Sequence, residues 1–260
     1  GVAIVLVGGR GTGKGVTVST FGALFGKHFA HLTSAESFLG QFNSHLADKI
    51  VLFADEVFWS GDKKSEGKLK TLITEARKQV EAKGLPIIEM GNYTRLFMAT
   101  NDDWAVPAGA DERRFFVLQV NNKWQQDAQY FSPIIEQLKN GGLEALLHHL
   151  QNIDISAFNP RIVPVTNALV EQKLRSLTPI QRWWYQCCFR GHIGFTDAEG
   201  RFLGDLRTSD TNINQWPTFA STEALHGNYC DYCKNSGHRY PETNGIFISS
   251  LRKIATLRSH

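Results

Sequence analysis

The stretch VAIVLVGGRGTGKGVT, residues 2–17, decides how the chain is read. Val2 to Val7 are apolar without a break and largely β-branched. That is the pattern of a strand buried on both faces of a parallel sheet. A glycine-rich turn follows at once. Then Val16, Phe21, Leu24 and Phe25 recur at helical spacing toward Phe29. Strand, glycine turn and helix is the setting in which Gly-x-x-x-x-Gly-Lys becomes a phosphate-binding loop. Gly8, Gly13 and Lys14 fit that pattern, and Gly9, Arg10, Gly11, Thr12, Gly15 and Val16 complete the loop. Glycines let successive backbone N–H groups turn inward toward phosphate oxygens. The helix N-terminus adds partial positive charge. Lys14 is placed to reach the β- and γ-phosphates of ATP.

One position departs from the pattern. Gly15 stands where Ser or Thr ordinarily presents a hydroxyl to Mg2+. Thr12, Thr17 or a water must substitute, or the metal is held from elsewhere. Gly-Lys-Gly also occurs in nucleoside monophosphate kinases. The loop alone therefore does not separate a phosphotransferase from a motor ATPase.

Three further stretches read as strands with polar tips. KIVLFADEVFW (49–59) ends its apolar run in Asp55 and Glu56. Ligands of open α/β sheets bind at that end of the strands. Asp55 suits Mg2+, directly or through water, and Glu56 suits polarising an attacking water. The pair argues for hydrolysis, because a kinase must keep water out. TRLFMATNDDW (94–104) ends in Thr100 and Asn101, and an amide there can hold the attacking water. ADERRFFVLQV (110–120) sets Arg113 and Arg114 just before a strand starting near Phe115. A guanidinium offers forked donors to a phosphoryl group, and an arginine finger contributes roughly 10³–10⁵ in rate. The alternative for either arginine is a salt bridge with Asp111 or Glu112. Between the second and third strands, Leu69, Leu72, Ile73 and Ala76 mark a helix face. The segment from Val80 to Ile88 reads as a hairpin, with Lys83 and Gly84 at or near its tip. A lysine there can track a nucleic-acid backbone.

Together these residues resemble a superfamily 3 helicase, more narrowly the helicase part of phage and prophage primase-helicases, related to the poxvirus primase-helicase. Lys14, Asp55-Glu56, Lys83, Asn101 and Arg113-Arg114 come in that family's order and density, and ATNDDWAVPAGADERRFFVLQV (99–120) is the most specific piece. Phage members also often carry Gly-Lys-Gly in the loop. The resemblance is strong over about residues 1–120 and weak beyond. It implies an α/β P-loop ATPase core of the AAA+ type, a parallel sheet with helices on both sides. It implies a homo-oligomeric ring, a hexamer by expectation, with ATP and Mg2+ between neighbours. By the same resemblance Lys14, Asp55, Glu56 and Asn101 would act from one subunit, and Arg113 or Arg114 from the next. Lys83 would line the channel and move single-stranded DNA. The chain opens on a core strand without an initiator Met, so a fragment of a longer protein is expected, and the resemblance implies a primase or polymerase domain before Gly1. The activity implied is ATP-dependent DNA unwinding in phage or mobile-element replication. A nucleotide kinase is the alternative, but no arginine-rich lid or monophosphate site is found. A DNA-binding initiator or loader that uses ATP only as an assembly switch shares every motif.

Composition sets the outer bounds. The 260 residues are 42% hydrophobic and 20% charged, an ordinary globular balance. No apolar run approaches the roughly 20 residues of a membrane span, and Val2–Val7 is too short for a signal peptide. A cytoplasmic protein is expected, in a bacterial host if phage-encoded. Four cysteines suggest no disulfide framework. The formal charge is +3, with 16 Lys+Arg against 17 Asp+Glu in residues 1–160 and 12 against 8 in 161–260. A mildly basic C-terminal part suits nucleic acid.

The predicted domains are a P-loop ATPase domain, 1–151, and a helical, winged-helix-like C-terminal module, 166–260. A linker of Pro and Asn character, 152–165, joins them. Helices are expected over 127–151, broken at Gly141-Gly142, and around 166–177, 180–190 and 221–254. Trp183 and Trp184 can stack on bases, but core packing is the expectation. Cys187 and Cys188 read as buried filler. His226, Cys230, Cys233 and His238 have spacings that can hold zinc. No second Cys-x-x-Cys pair supports that, and the two cysteines fall where a helix packs small apolar residues.

Overall fold

The computed structural model describes residues 1–56, 63–109, 111–160, 162–191, 193–196, 202–205 and 220–255. Val57–Trp59 of the second strand stretch and Ala110 lie outside the described residues. The chain divides into two compact units, Gly1–Ser176 and Leu177–His260.

The first unit runs β1 (Ala3–Val7), α1 (Lys14–Ala23), β2 (Phe29–Leu32), α2 (Ala35–Leu39), β3 (Val51–Asp55), α3 (Lys63–Thr74), β4 (Arg77–Val80), β5 (Ile88–Gly91), β6 (Arg95–Thr100), β7 (Phe115–Gln119), α4 (Ala128–Gln137), α5 (Leu143–Gln151) and α6 (Asn167–Arg175). Five strands form one sheet in the order β2-β3-β6-β1-β7. Each neighbouring pair is parallel. This is the parallel α/β sheet that the unbroken apolar runs predict. The pleat sends alternate residues to opposite faces. Leu52, Ala54, Met98 and Val117 pack with Phe38 of α2, Leu69 and Ile73 of α3, and Leu169 of α6. Phe53 and Ala99 join Val18 of α1 on the other face. Both faces are covered, so Val51 to Ala54 are all buried.

Two departures from the sequence reading have local causes. The helical spacing toward Phe29 does not continue a helix, because α1 ends at Ala23 and Phe29 opens the edge strand β2. A Cβ on Gly22 would lie 2.4 Å from the Phe29 ring, so the glycine admits the ring beside the helix. Gly26, at φ 51°, turns the chain. The second departure is α6, which belongs to the first unit. Thr166 Oγ1 donates to Val117 O. The buried Gln172 accepts from Ala105 N at 2.7 Å and donates to Asp103 O at 2.7 Å. These polar tethers satisfy buried backbone groups, and no periodicity reveals them.

The second unit holds α7 (Pro179–Arg190), β8 (Gly194–Thr196), β9 (Phe202–Asp205), α8 (Thr222–Asn235) and α9 (Asn244–Ile254). Its core is Trp183, Tyr229, Phe247, Leu251, Cys187 and Cys233. Trp183 is 2% exposed, and its Nε1 donates to Asn228 Oδ1 at 2.7 Å. Core packing therefore wins over base stacking there. Cys187 is buried as expected, but Cys188 is exposed, since adjacent helical residues point about 100° apart.

Candidate functional site

Three strand tips converge on Lys14. The loop after β1 curls back through two left-handed residues, Gly11 at φ 74° and Gly13 at φ 91°. Gly13 caps α1 and puts Lys14 on its first turn. The lysine is 8% exposed. Its Nζ donates to Gly8 O at 2.7 Å, Gly9 O at 2.8 Å and Asn101 Oδ1 at 2.9 Å. Asn101, just past β6, donates through Nδ2 to Glu56 Oε1. Glu56 follows β3 in left-handed backbone, φ 52°, tied by its N–H to Ala99 O at 2.9 Å. Such a conformation in a residue with a Cβ costs about 1–2 kcal/mol, and such strain clusters at functional sites. Lys14, Asn101 and Glu56 thus form one hydrogen-bonded chain, and Asp55 lies beside it.

Burial lowers the Lys14 pKa below the ordinary lysine value of 10.5, against the opposing pull of Asp55 and Glu56. A bound polyphosphate favours the ammonium form and raises that pKa again. A polyphosphate held here would therefore take up a proton at alkaline pH, and its affinity would fall as pH rises through the Lys14 pKa. Calorimetry across a series of alkaline pH values in buffers of different ionisation enthalpy reads this directly. Lys14→Arg, whose charge does not titrate, should bind without the uptake. Equal uptake in that variant would assign the proton elsewhere.

The hydroxyls near Gly15 are engaged. Thr12 Oγ1 donates to Gly9 O at 2.9 Å and Thr17 Oγ1 to Gly13 O at 3.0 Å. A Cβ on Gly15 would lie 3.9 Å from Asp55 Oδ2. The first turn of α1 therefore faces the Asp55 carboxylate, the oxygen donor that suits Mg2+.

Two groups at this site were missed by sequence reasoning. His31 on β2 approaches Asp55 Oδ2 with Nε2 at 3.2 Å and stacks on Phe53 at 4.7 Å. A lone His on a short edge strand carries no sequence signal. The segment after β7 wraps the loop from outside. Gln125 Nε2 donates to Arg10 O at 2.8 Å and Gln126 N to Gly11 O at 2.9 Å. A Cβ on Gly13 would lie 2.8 Å from the Phe131 ring. Residue 13 must therefore be glycine for both its conformation and its neighbour.

Arg113 and Arg114 lie elsewhere. They precede β7, whose Phe115 sits opposite Ala3 while Gln119 sits opposite Val7. The length of a five-residue strand, on the order of 15 Å, separates them from the loop. Arg114 Nη1 is 3.3 Å from both Glu112 carboxylate oxygens. Glu112 is buried and also accepts from the backbone N–H of both arginines. The Arg113 side chain is exposed.

Lys83 and Gly84 sit at the exposed tip of the β4–β5 hairpin, with Gly84 at φ 77°. Asn43 stiffens its base, donating to Gln79 O at 2.9 Å and accepting from Glu81 N at 2.8 Å. In the second unit, His226 Nε2 faces Glu242 O at 2.8 Å. Burial raises the pKa of both Cys230 and Cys233, whereas zinc binds thiolates. No group of three or more His, Cys, Asp or Glu that could hold a metal occurs among the described residues.

Residues 6–114 match the model of a family of unknown function (DUF5906). The chain is similar to the DNA primase-polymerase of Nitratiruptor phage NrS-1, 23% identical over 197 residues, 71% of this chain and 27% of that protein. It therefore spans about a quarter of that relative's length. The solved apo C-terminal region of NrS-1 superposes with a TM-score of 0.61 at 22% identity, over 76% of this chain and 47% of that one. A second apo form gives 0.60 at 22% identity, over 73% and 46%. The structural likeness shows the α/β fold, and the matched relative is a phage DNA primase-polymerase. No described helix is long and apolar enough to cross a membrane.

Proposed function

We propose that this chain is the ATP-hydrolysing motor part of a longer DNA replication protein, a P-loop AAA+-type core of the superfamily 3 helicase kind that translocates on single-stranded DNA. The observation that carries this is the Lys14–Asn101–Glu56 chain at the C-terminal ends of three parallel strands. ATP phosphates would lie on the loop amides of residues 8–15, with Lys14 turning from its carbonyls to the β- and γ-oxygens. Asp55 would hold Mg2+, which supplies charge neutralisation at the phosphates when bound. Glu56 and Asn101 share the hydrogen bond that would orient the attacking water. The water-activating carboxylate favours hydrolysis over phosphate transfer to a nucleoside monophosphate.

Assembly into a ring is supported by two features. Arg113 lies at the far end of β7 from its own loop and is exposed, as a residue serving a neighbour's nucleotide would be. Helices α4 and α5 have no buried residue, and Tyr130, Ile135, Leu147 and Leu150 are exposed. That surface suits an adjacent copy.

The test is ATP hydrolysis with and without single-stranded DNA, together with strand separation of a forked duplex. DNA-stimulated hydrolysis with unwinding is expected. Hydrolysis indifferent to DNA would move the reading to an ATP-switched initiator, and phosphate transfer to a monophosphate would move it to a kinase. Lys83→Ala is expected to weaken single-stranded DNA binding about tenfold and to lower the salt slope of binding. Hydrolysis without DNA should stay near wild type, because the hairpin tip is remote from Lys14 in sequence and lies outside the loop's contacts. Unchanged anisotropy titrations would remove the hairpin from the DNA path.

A further inference from the structure

The missing hydroxyl at Gly15 leaves the metal with one fewer protein oxygen, and the fold offers a different donor at that spot. On β3, Phe53 and Asp55 share a face, the face that α1 covers. The β2–β3 register sets His31 directly opposite Phe53. The His31 ring lies nearly flat on Phe53, 13° between planes, so stacking sets its direction. Its Nε2 then meets Asp55 Oδ2 at 3.2 Å. The same oxygen faces Gly15, 3.9 Å from where a Cβ would stand. His31 is 42% exposed and Asp55 30%, so both are reachable by a hydrated ion.

The separation also fits a chelate. Adjacent ligands on an octahedral ion, each about 2.1 Å from it, lie about 3 Å apart. The observed N–O distance is close to that edge. We infer that His31 and Asp55 together are the protein's half of the divalent-metal site, the imidazole replacing the hydroxyl that Gly15 lacks. The rest of the shell comes from nucleotide phosphate oxygens and water, as is usual for ions that bind with ATP. The inference rests on the nucleotide reading above.

The consequence is metal selectivity. Mg2+ holds to oxygen donors, whereas first-row transition ions accept an imidazole; Mn2+ binds nitrogen least tightly of that series but more readily than Mg2+ does. The complex of the whole chain with a non-hydrolysable ATP analogue should bind Mn2+ more tightly than Mg2+ by a margin exceeding that of the free analogue. Electron-spin-echo spectra of bound Mn2+ should show coupling to an imidazole nitrogen. His31→Ala and His31→Gln should both lose that coupling and about tenfold of Mn2+ affinity, with melting temperatures near wild type because the side chain is exposed. Adding Gly15→Thr to His31→Ala should restore metal affinity through an oxygen donor, with the preference shifted toward Mg2+. The Cβ it introduces makes only an ordinary contact with Asp55. Mn2+ bound to wild type without nitrogen coupling overturns the inference and leaves the nucleotide site standing. So does a His31→Ala variant with unaltered selectivity. An analogue that fails to bind with either metal overturns the nucleotide reading itself, and this site with it.

Discussion

Lys14→Ala is expected to abolish ATP hydrolysis, lowering kcat by at least 10²–10³-fold, the cost of removing one preorganised donor to developing charge. Nucleotide affinity should fall as well. In the free protein Lys14 binds two loop carbonyls and Asn101, so its ammonium is already aimed into the loop. Truncation removes that charge from the phosphate path and frees Asn101 from one of its two partners. Steady-state hydrolysis and fluorescent-nucleotide binding measure the two effects separately. Wild-type turnover in the variant would mean that the loop is a turn and not a phosphate site.

Arg113→Ala should leave nucleotide binding near wild type while lowering kcat by roughly 10³-fold or more. The reason is position. Arg113 precedes β7 at the opposite end of the sheet from Lys14, so under the proposed function its guanidinium would serve a nucleotide held by another copy. Mixing Arg113→Ala with Lys14→Ala protein should therefore restore activity. In an equimolar random ring about a quarter of the interfaces pair an intact Lys14 with an intact Arg113. A mixture as inactive as its components would argue against action in trans. Arg114→Ala should behave differently. Its partner Glu112 is buried, and losing the guanidinium leaves that carboxylate on two backbone N–H groups. The expected result is a loss of about 1–3 kcal/mol of stability, read by denaturant unfolding, with the per-molecule rate retained.

Much of the site's placement was legible in advance for a physical reason. Lys14, Asp55 and Asn101 each stand at the tip of an apolar run. In a parallel sheet such tips meet at one edge, whatever the order of the strands. The tie between Asn101 and Glu56 follows from β3 and β6 being neighbours. The hairpin with Lys83 at its tip was legible because glycine and proline punctuate it. The limit of α1 and the existence of β2 were not legible. The apolar spacing across Gly22 and Gly26 mimics a helix, and β2 is a short edge strand with only Leu32 buried.

What the sequence determined by itself is whatever neighbouring residues encode. Buried parallel strands, the glycine loop, the acidic and amide strand tips and the breaks at Gly141-Gly142 all depend on spacing and local backbone preference. What only the tertiary structure decided is which side chains from separate elements meet. The β2–β3 register carries His31 to Asp55. The Gln125–Phe131 segment closes over the loop. Gln172 ties α6 to the first unit. Each depends on distance across the fold, and a linear pattern holds no record of distance between residues far apart in the chain.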